Sequence, residues 1–148
     1  MKLSQLQENQ TIEFKRSLAE RNEILDTISA FANTKGGTIY VGVDENKNGS
    51  VKEITGISIK GREIENLTNE IKQNTDPIIF PSIEIKKIEE KKVLLVEINE
   101  SLIKPVFAGK GRAFKRVGKS NLRLTVQEIR QMAKESIDYN FTELVCEE

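Results

Sequence analysis

Three carboxylates in the first third of the chain stand where a site could form. Glu8 lies just before a predicted strand, Glu13 lies within it, and Asp44 follows the apolar run 38–43. Neighbouring carboxylates repel one another unless a cation or a base lies among them, and hard ions such as Mg²⁺ or Mn²⁺ favour oxygen ligands. A metal held there could activate water and neutralise a phosphate. Spacing alone favours the simpler interpretation, which is solvated acids in loops and on an edge strand.

A stretch without acids is the second candidate site. The whole chain balances 23 basic against 23 acidic residues, yet residues 101–127 contain no Asp or Glu. The cations in this stretch are Lys104, Lys110, Arg112, Lys115, Arg116, Lys119 and Arg123. Such side chains neutralise phosphates and release counterions, so they could bind nucleic acid in a salt-dependent way. A solvated hairpin, with Phe107 and Phe114 turned to the core, is the equally open alternative.

The composition excludes several other kinds of site within this sequence. The chain has no histidine and a single cysteine, Cys146, so neither a Cys/His zinc site nor an internal disulfide can form. No nucleophile can be paired with a histidine base either. Gly118-Lys119-Ser120 is similar to the end of a phosphate-binding P-loop, but Ala113 stands where that motif requires glycine. We therefore expect no zinc and no ATP site.

An alternating series of strands and helices must position these residues. Ser17 with Glu20, and Thr125 with Glu128, have the spacing of capping boxes, which open helices. The apolar run 38–43 predicts a strand covered on both faces. In chain order we predict strand 11–15, a helix from 17, strand 38–43, helix 60–74, a hairpin of 83–88 with 93–98, a hairpin of 106–107 with 113–117, and a helix from 125. This order predicts an α+β (mixed α/β) fold, with a mixed sheet and about three helices.

The outline of the chain suggests one domain and a cytoplasmic protein. We expect a domain over residues 1–136, followed over 137–148 by an acidic tail or by the start of a linker to a downstream region. We find no signal peptide and no apolar run long enough to cross a bilayer, so no membrane partner is expected.

Four segments, in order and spacing, resemble the Schlafen-like, Alba-type family of nucleic-acid-binding domains. The segments are Glu8 with Ile12-Glu13-Phe14-Lys15, the run ISAFANTKGG at 28–37, the run IYVGVD at 39–44, and Pro105-Val106 with Lys115-Arg116-Val117-Gly118. The resemblance implies an Alba-like fold, often found at the N-terminus of transcriptional regulators. In Schlafen proteins that cleave RNA, an acidic triad supported by divalent metal resembles Glu8, Glu13 and Asp44 here. Those proteins also have a second lobe and a zinc site, which this chain lacks, so the resemblance favours a homodimer that supplies the second lobe.

Three functions follow, in order of preference. The first is a nucleic-acid-binding module, for DNA or RNA, which is expected to use Lys15, Lys110, Arg112, Lys115, Arg116, Lys119 and Arg123. The second is an endoribonuclease that uses Mg²⁺ or Mn²⁺ at the acidic triad. The third is a protein-interaction or oligomerisation domain. The sequence does not distinguish DNA from RNA, because it shows neither a base-reading helix nor an RNA-stacking motif.

Overall fold

The computed structural model of the chain describes residues 2–146, with side chains for residues 2–137. Within these residues the chain forms a short 3-10 helix (Leu3–Gln5), three α-helices and ten strands. They are β1 (Ile12–Lys15), α1 (Arg21–Ala32), β2 (Gly37–Val41), β3 (Val43–Glu45), β4 (Val51–Ile54), α2 (Glu63–Gln73), β5 (Thr75–Asp76), β6 (Ser82–Ile88), β7 (Lys91–Ile98), β8 (Phe107–Ala108), β9 (Phe114–Val117), β10 (Ser120–Arg123) and α3 (Val126–Cys146). The α+β fold, with three helices and a mixed sheet, is confirmed.

A four-stranded sheet with the order β1-β2-β7-β6 forms the centre of the domain. β1 and β2 are parallel, with α1 between them in sequence, whereas β7 is antiparallel to both β2 and β6. The predicted hairpin of β6 and β7 is confirmed. Its turn places Glu89 and Glu90 at φ values of 51° and 66°. β1 and β6 are consequently the two edge strands of this sheet.

Both faces of the sheet are buried, which explains the nearly continuous apolar character of its inner strands. Along β7, Leu94 and Val96 belong to a core that includes residues of α1 and α2. Val93 and Leu95 belong to a second core on the opposite face, beneath the 3-10 helix and strands β3 and β4. β7 therefore contributes side chains to both cores and lies between them.

Polar side chains in and just after α1 hold the carboxyl-terminal part of the domain in place. The Asn33 amide accepts a hydrogen bond from the Val106 N–H (2.7 Å) and donates to the carbonyls of Val106 (3.0 Å) and Phe114 (2.9 Å). Ser29 Oγ donates to the Val106 carbonyl (2.8 Å) and accepts from the Phe114 N–H (3.0 Å). Both side chains are buried. They satisfy backbone groups that would otherwise be left without partners in the interior.

The structure corrects two local predictions around the helices and strands. The capping box at Ser17 and Glu20 is wrong, because the Glu20 carboxylate accepts from the Arg16 N–H and α1 begins only at Arg21. The box at Thr125 and Glu128 is confirmed by reciprocal hydrogen bonds of 3.0 and 3.1 Å. In the predicted hairpin of 106–107 with 113–117, the loop does turn back through an antiparallel bridge between Ala108 and Arg112, but the pairing of the two strands is wrong. β8 pairs with β5, and β9 pairs with β10 around the tight turn at Gly118, where φ is +60°.

Helix α3 passes through the boundary predicted after residue 136 and is described as far as Cys146. Residues 137–146 of the predicted tail are thus helical, and residues 147–148 lie outside the described residues. Across the part of the chain that the structure describes, no helix is both long and apolar enough to span a membrane.

Candidate functional site

Three carboxylates converge beside strand β1. One oxygen each from Glu8, Glu13 and Glu45 lies within 4.8 Å of the other two. Glu8 and Glu13 are the acids selected from the sequence, but the third member of the cluster is Glu45 and not Asp44. Asp44 precedes Glu45 in β3, at a point where the pairing with β4 shifts register. Asp44 lies outside the cluster and lines a surface cavity with Arg16, Glu20 and Glu45, so this cavity adjoins the acids.

Backbone contacts fix Glu8 in this acidic cluster. Its N–H donates to the Gly49 carbonyl (2.8 Å), and its carboxylate accepts from the Phe14 N–H of β1 (3.0 Å). Gly49 has a φ of +89°, and a Cβ added there would lie 3.2 Å from Glu8 Cβ and 3.3 Å from Lys119 Cδ. The turn between β3 and β4 therefore needs glycine in order to pass between the acid and the lysine.

The three carboxyl groups lie so close together that their negative charges would repel one another if all were ionised. Burial, followed by hydrogen bonds with Glu13 and Glu45, raises the pKa of Glu8 to about 10, while the Phe14 N–H opposes the rise. Glu8 thus retains its proton at neutral pH, and that proton allows the carboxyl groups to lie close together. The donor set fits a hard divalent cation, because three carboxylate oxygens converge and a cation at their centre would replace the proton.

Arg116 orients the second acid and is itself buried. Its Nη1 donates to Glu13 Oε2 at 2.6 Å, and the side chains of Arg116 and Glu13 are 0% and 7% exposed. The remaining N–H groups donate to the carbonyls of Asn9 and Ile12 and to Asn121 Oδ1, over distances of 2.8–3.1 Å. The guanidinium also lies 5.0 Å from the centre of the Phe31 ring. Arg116 was predicted to contact nucleic acid, but its donors are directed into the protein and it acts as the support of Glu13.

The other predicted cations divide into paired and exposed groups. Arg112 forms an ion pair with Asp26 (3.0 Å), and Lys115 pairs with Glu128. Burial raises the pKa of Asp26, and the adjacent Arg112 opposes that rise. Lys110, Lys119 and Arg123 are exposed, Lys15 is half-buried at the end of β1, and none of these four takes part in an ion pair among the side chains of residues 2–137.

The hairpin of β9 and β10 adjoins the acidic cluster. Gln10, in the loop before β1, donates to the Arg116 carbonyl (2.7 Å) and accepts from the Gly118 N–H (2.9 Å). Lys119 lies at the tip of the hairpin and donates to the carbonyl of Lys47 in the turn between β3 and β4. The exposed end of the hairpin thus lies beside Glu8, with the buried acids beneath it.

Sequence reasoning missed Glu45 and Gln10. For Glu45, the only signal is that it adjoins Asp44, because the sequence does not show which of the two carboxylates turns toward Glu8. No sequence signal identifies Gln10, since an amide side chain that binds the backbone of a distant turn leaves no local pattern.

Comparison with known proteins gives one family and a shared fold. The family described as Schlafen, AlbA_2 matches residues 8–125 of this chain. The crystal structure of the DIP2311 protein from Corynebacterium diphtheriae superposes with a TM-score of 0.62 at 23% identity, covering 78% of this chain and 25% of that one. The solution structure of the N-terminal domain of an ATP-dependent DNA helicase RecG-related protein from Nitrosomonas europaea gives 0.61 at 22% identity, covering 85% and 95%. At these identities the two structures show the fold alone, and this chain spans a quarter of DIP2311.

Proposed function

The chain belongs to the Schlafen, AlbA_2 family, and from that premise we propose that it is a nucleic-acid-binding module. The binding surface is the exposed side of the hairpin of β9 and β10, from Lys119 in its turn to Arg123 at its open end, together with the adjoining turn between β3 and β4. One observation carries the proposal. The acid-free part of the chain folds into a hairpin whose exposed Lys119 reaches across to the Lys47 carbonyl.

The charge arrangement supports phosphate as the ligand. Lys110, Lys119 and Arg123 present their charges to solvent, whereas the nearby acids Glu8 and Glu13 are buried. Of the clustered acids only Glu45 is not buried, and Arg116 neutralises Glu13, so a phosphate backbone on this surface would meet more cations than acids. The structural relative that forms an N-terminal domain belongs to a protein named for DNA helicases, which supports the role of a module attached to a larger protein. DNA and RNA are both candidate ligands, and a cytoplasmic location stays a prediction.

Fluorescence anisotropy with labelled single-stranded RNA, duplex RNA and duplex DNA tests the proposal. Lys119→Glu and Arg123→Glu are expected to weaken binding and to lower the slope of log K against log salt by about 1 each. Lys60→Glu, a reversal at an exposed lysine outside the hairpin, is the matched control and should behave as wild type. If no ligand binds at about 0.15 M salt, or if the control weakens binding equally, the proposed surface is wrong.

The acidic cluster supports a second function, metal-dependent cleavage of RNA. Bound Mg²⁺ or Mn²⁺ would supply a water of lowered pKa and neutralise charge on the phosphate. In this arrangement Glu8, Glu13 and Glu45 would hold the ion, and Arg116 would orient Glu13. The exposed cations of the hairpin would position the strand above the acids.

Adjacent acids of β3 give a matched test of cleavage. Labelled tRNA is incubated with the chain in Mn²⁺ or in EDTA. Glu45→Gln should abolish cutting, while Asp44→Asn, which changes a carboxylate outside the cluster, should retain it. Binding without cutting in Mn²⁺ would exclude the nuclease and leave the binding module, and loss only in Asp44→Asn would show that the cluster is misassigned.

A further inference from the structure

The two edges of the central sheet differ in how they are covered. At one edge, the Glu8 carboxylate accepts the Phe14 N–H of β1 and the Asn9 N–H donates to the Ile12 carbonyl. At the other edge, β6 pairs only with β7 among the described elements, and five of its seven residues are exposed. β6 spans about 23 Å, at roughly 3.3 Å a residue. Its outer N–H and C=O groups thus form a long, unpaired hydrogen-bonding edge.

Geometry limits how a second copy could pair with this edge. Along a strand, alternate residues direct both backbone groups outward, and only outward residues can pair with outward residues of a neighbour. In a symmetric antiparallel pair the two-fold axis must therefore pass beside one residue. Near the middle of β6 that residue is Glu84, Ile85 or Lys86.

The charges of β6 select one of these three registers. With Glu84 at the axis, two glutamates face each other, and with Lys86 at the axis, two lysines do. Such directly opposed like charges are destabilising. With Ile85 at the axis, Glu84 of each copy faces Lys86 of the other, twice by symmetry, and the exposed Ile85 side chains meet at the centre.

We propose that this chain forms a symmetric dimer by joining two β6 strands antiparallel, with Ile85 at the two-fold axis. The partner is a second copy of the chain, because the charge pattern of β6 is complementary to itself. Ile85 is 40% exposed, and the preceding loop exposes Phe80 (72%) and Ile78 (55%) near the ends of the paired strands. The product is an eight-stranded sheet with an acidic cluster beside each outer edge. The clusters lie far apart, so this dimer does not combine them in one cleft.

Sedimentation velocity over a wide concentration range tests the charge pattern. Wild type should show a monomer–dimer equilibrium. Glu84→Lys and Lys86→Glu should each weaken dimerisation about tenfold, because two attractive pairs become repulsive. The double variant, which swaps the two charges, should restore it, while Lys60→Glu should have no effect. Wild type that stays monomeric at the highest concentration, or a double variant no better than the singles, would overturn the proposal.

Disulfide trapping tests the register independently. Cys146→Ser removes the only native cysteine. In that background Ile85→Cys should cross-link to itself under mild oxidation, since directly opposed Cα atoms lie about 4.5–5.5 Å apart, within disulfide range. Lys87→Cys is the matched control, because it lies on the same face of β6 but about 13 Å along the strand from its symmetry mate. Equal cross-linking of both variants would show random collision and refute the register.

Discussion

Among the cations of the chain, Arg116 is expected to contribute most to the free energy of unfolding, although it lies in the acid-free stretch 101–127 that was predicted to bind ligand. Arg116→Met removes the charge partner of buried Glu13 and leaves the Asn9 carbonyl without a donor, while the Ile12 carbonyl keeps only the Asn9 N–H. Breaking a buried ion pair from one side costs about 3–5 kcal/mol. In a chain of this length, that corresponds to a fall in Tm on the order of 10 °C.

Urea denaturation followed by circular dichroism measures this loss. Arg123→Met is the control, because it removes an exposed arginine from the same hairpin and should change the free energy of unfolding by no more than about 0.5 kcal/mol. Glu13→Gln combined with Arg116→Met should destabilise less than the two single changes summed, since the double variant leaves no buried charge. If Arg116→Met costs less than about 1 kcal/mol, the buried pair does not hold the acidic cluster together as described.

Two further predictions concern the buried polar groups. The pKa of Glu8 is raised from about 4.5 to about 10 on folding, so between these pH values the folded state keeps a proton that the unfolded state loses. The free energy of unfolding should therefore fall as pH rises through this range, by at most about 1.4 kcal/mol per pH unit from this group. Urea titrations should therefore show that the free energy of unfolding of Glu8→Gln, relative to wild type, increases from pH 5 to pH 8. If the difference between the two proteins stays constant over this range, the assignment of the raised pKa to Glu8 is contradicted. Asn33→Ala should cost about 3 kcal/mol in the same assay, because it orphans buried backbone groups of Val106 and Phe114. Asn33→Asp should cost at least as much, since it sets a carboxylate against two carbonyls, and a loss below about 1 kcal/mol in both variants would count against this docking.

Much of the fold could be predicted from the sequence because periodicity and turn residues act locally. The β6–β7 hairpin and the capping box of α3 were of this kind. The acidic cluster was predicted in two members of three, and the error has a local cause. Ile39 and Val41 face one core, but Val43 faces the other despite the same parity, because Gly42, with a φ of +111°, reverses the alternation. Asp44 was selected because it follows the apolar run 38–43, and that position does not show which way its side chain points.

The role of Arg116 could not be predicted from its neighbours. Lys115 and Arg116 adjoin in sequence and carry the same charge, yet one pairs near the surface and the other is buried over Phe31. The difference depends on Glu13, which lies 103 residues away in sequence. Pairings over that separation are decided by tertiary packing, which periodicity and composition do not encode.

The hydrogen bonds from the end of α1 to the backbone of the later strands fix the position of those strands, but they leave the identity of the exposed side chains free to vary. Ser29 and Asn33 bind the main chain of Val106 and Phe114, and Thr34 accepts the Arg116 N–H at 3.0 Å. These contacts do not depend on which side chains the hairpin of β9 and β10 carries toward solvent. Mutation could therefore rewrite the exposed positions of the hairpin, such as 119 and 123, while the backbone stays in place. The same scaffold could acquire different ligand preferences in different lineages without rebuilding its core.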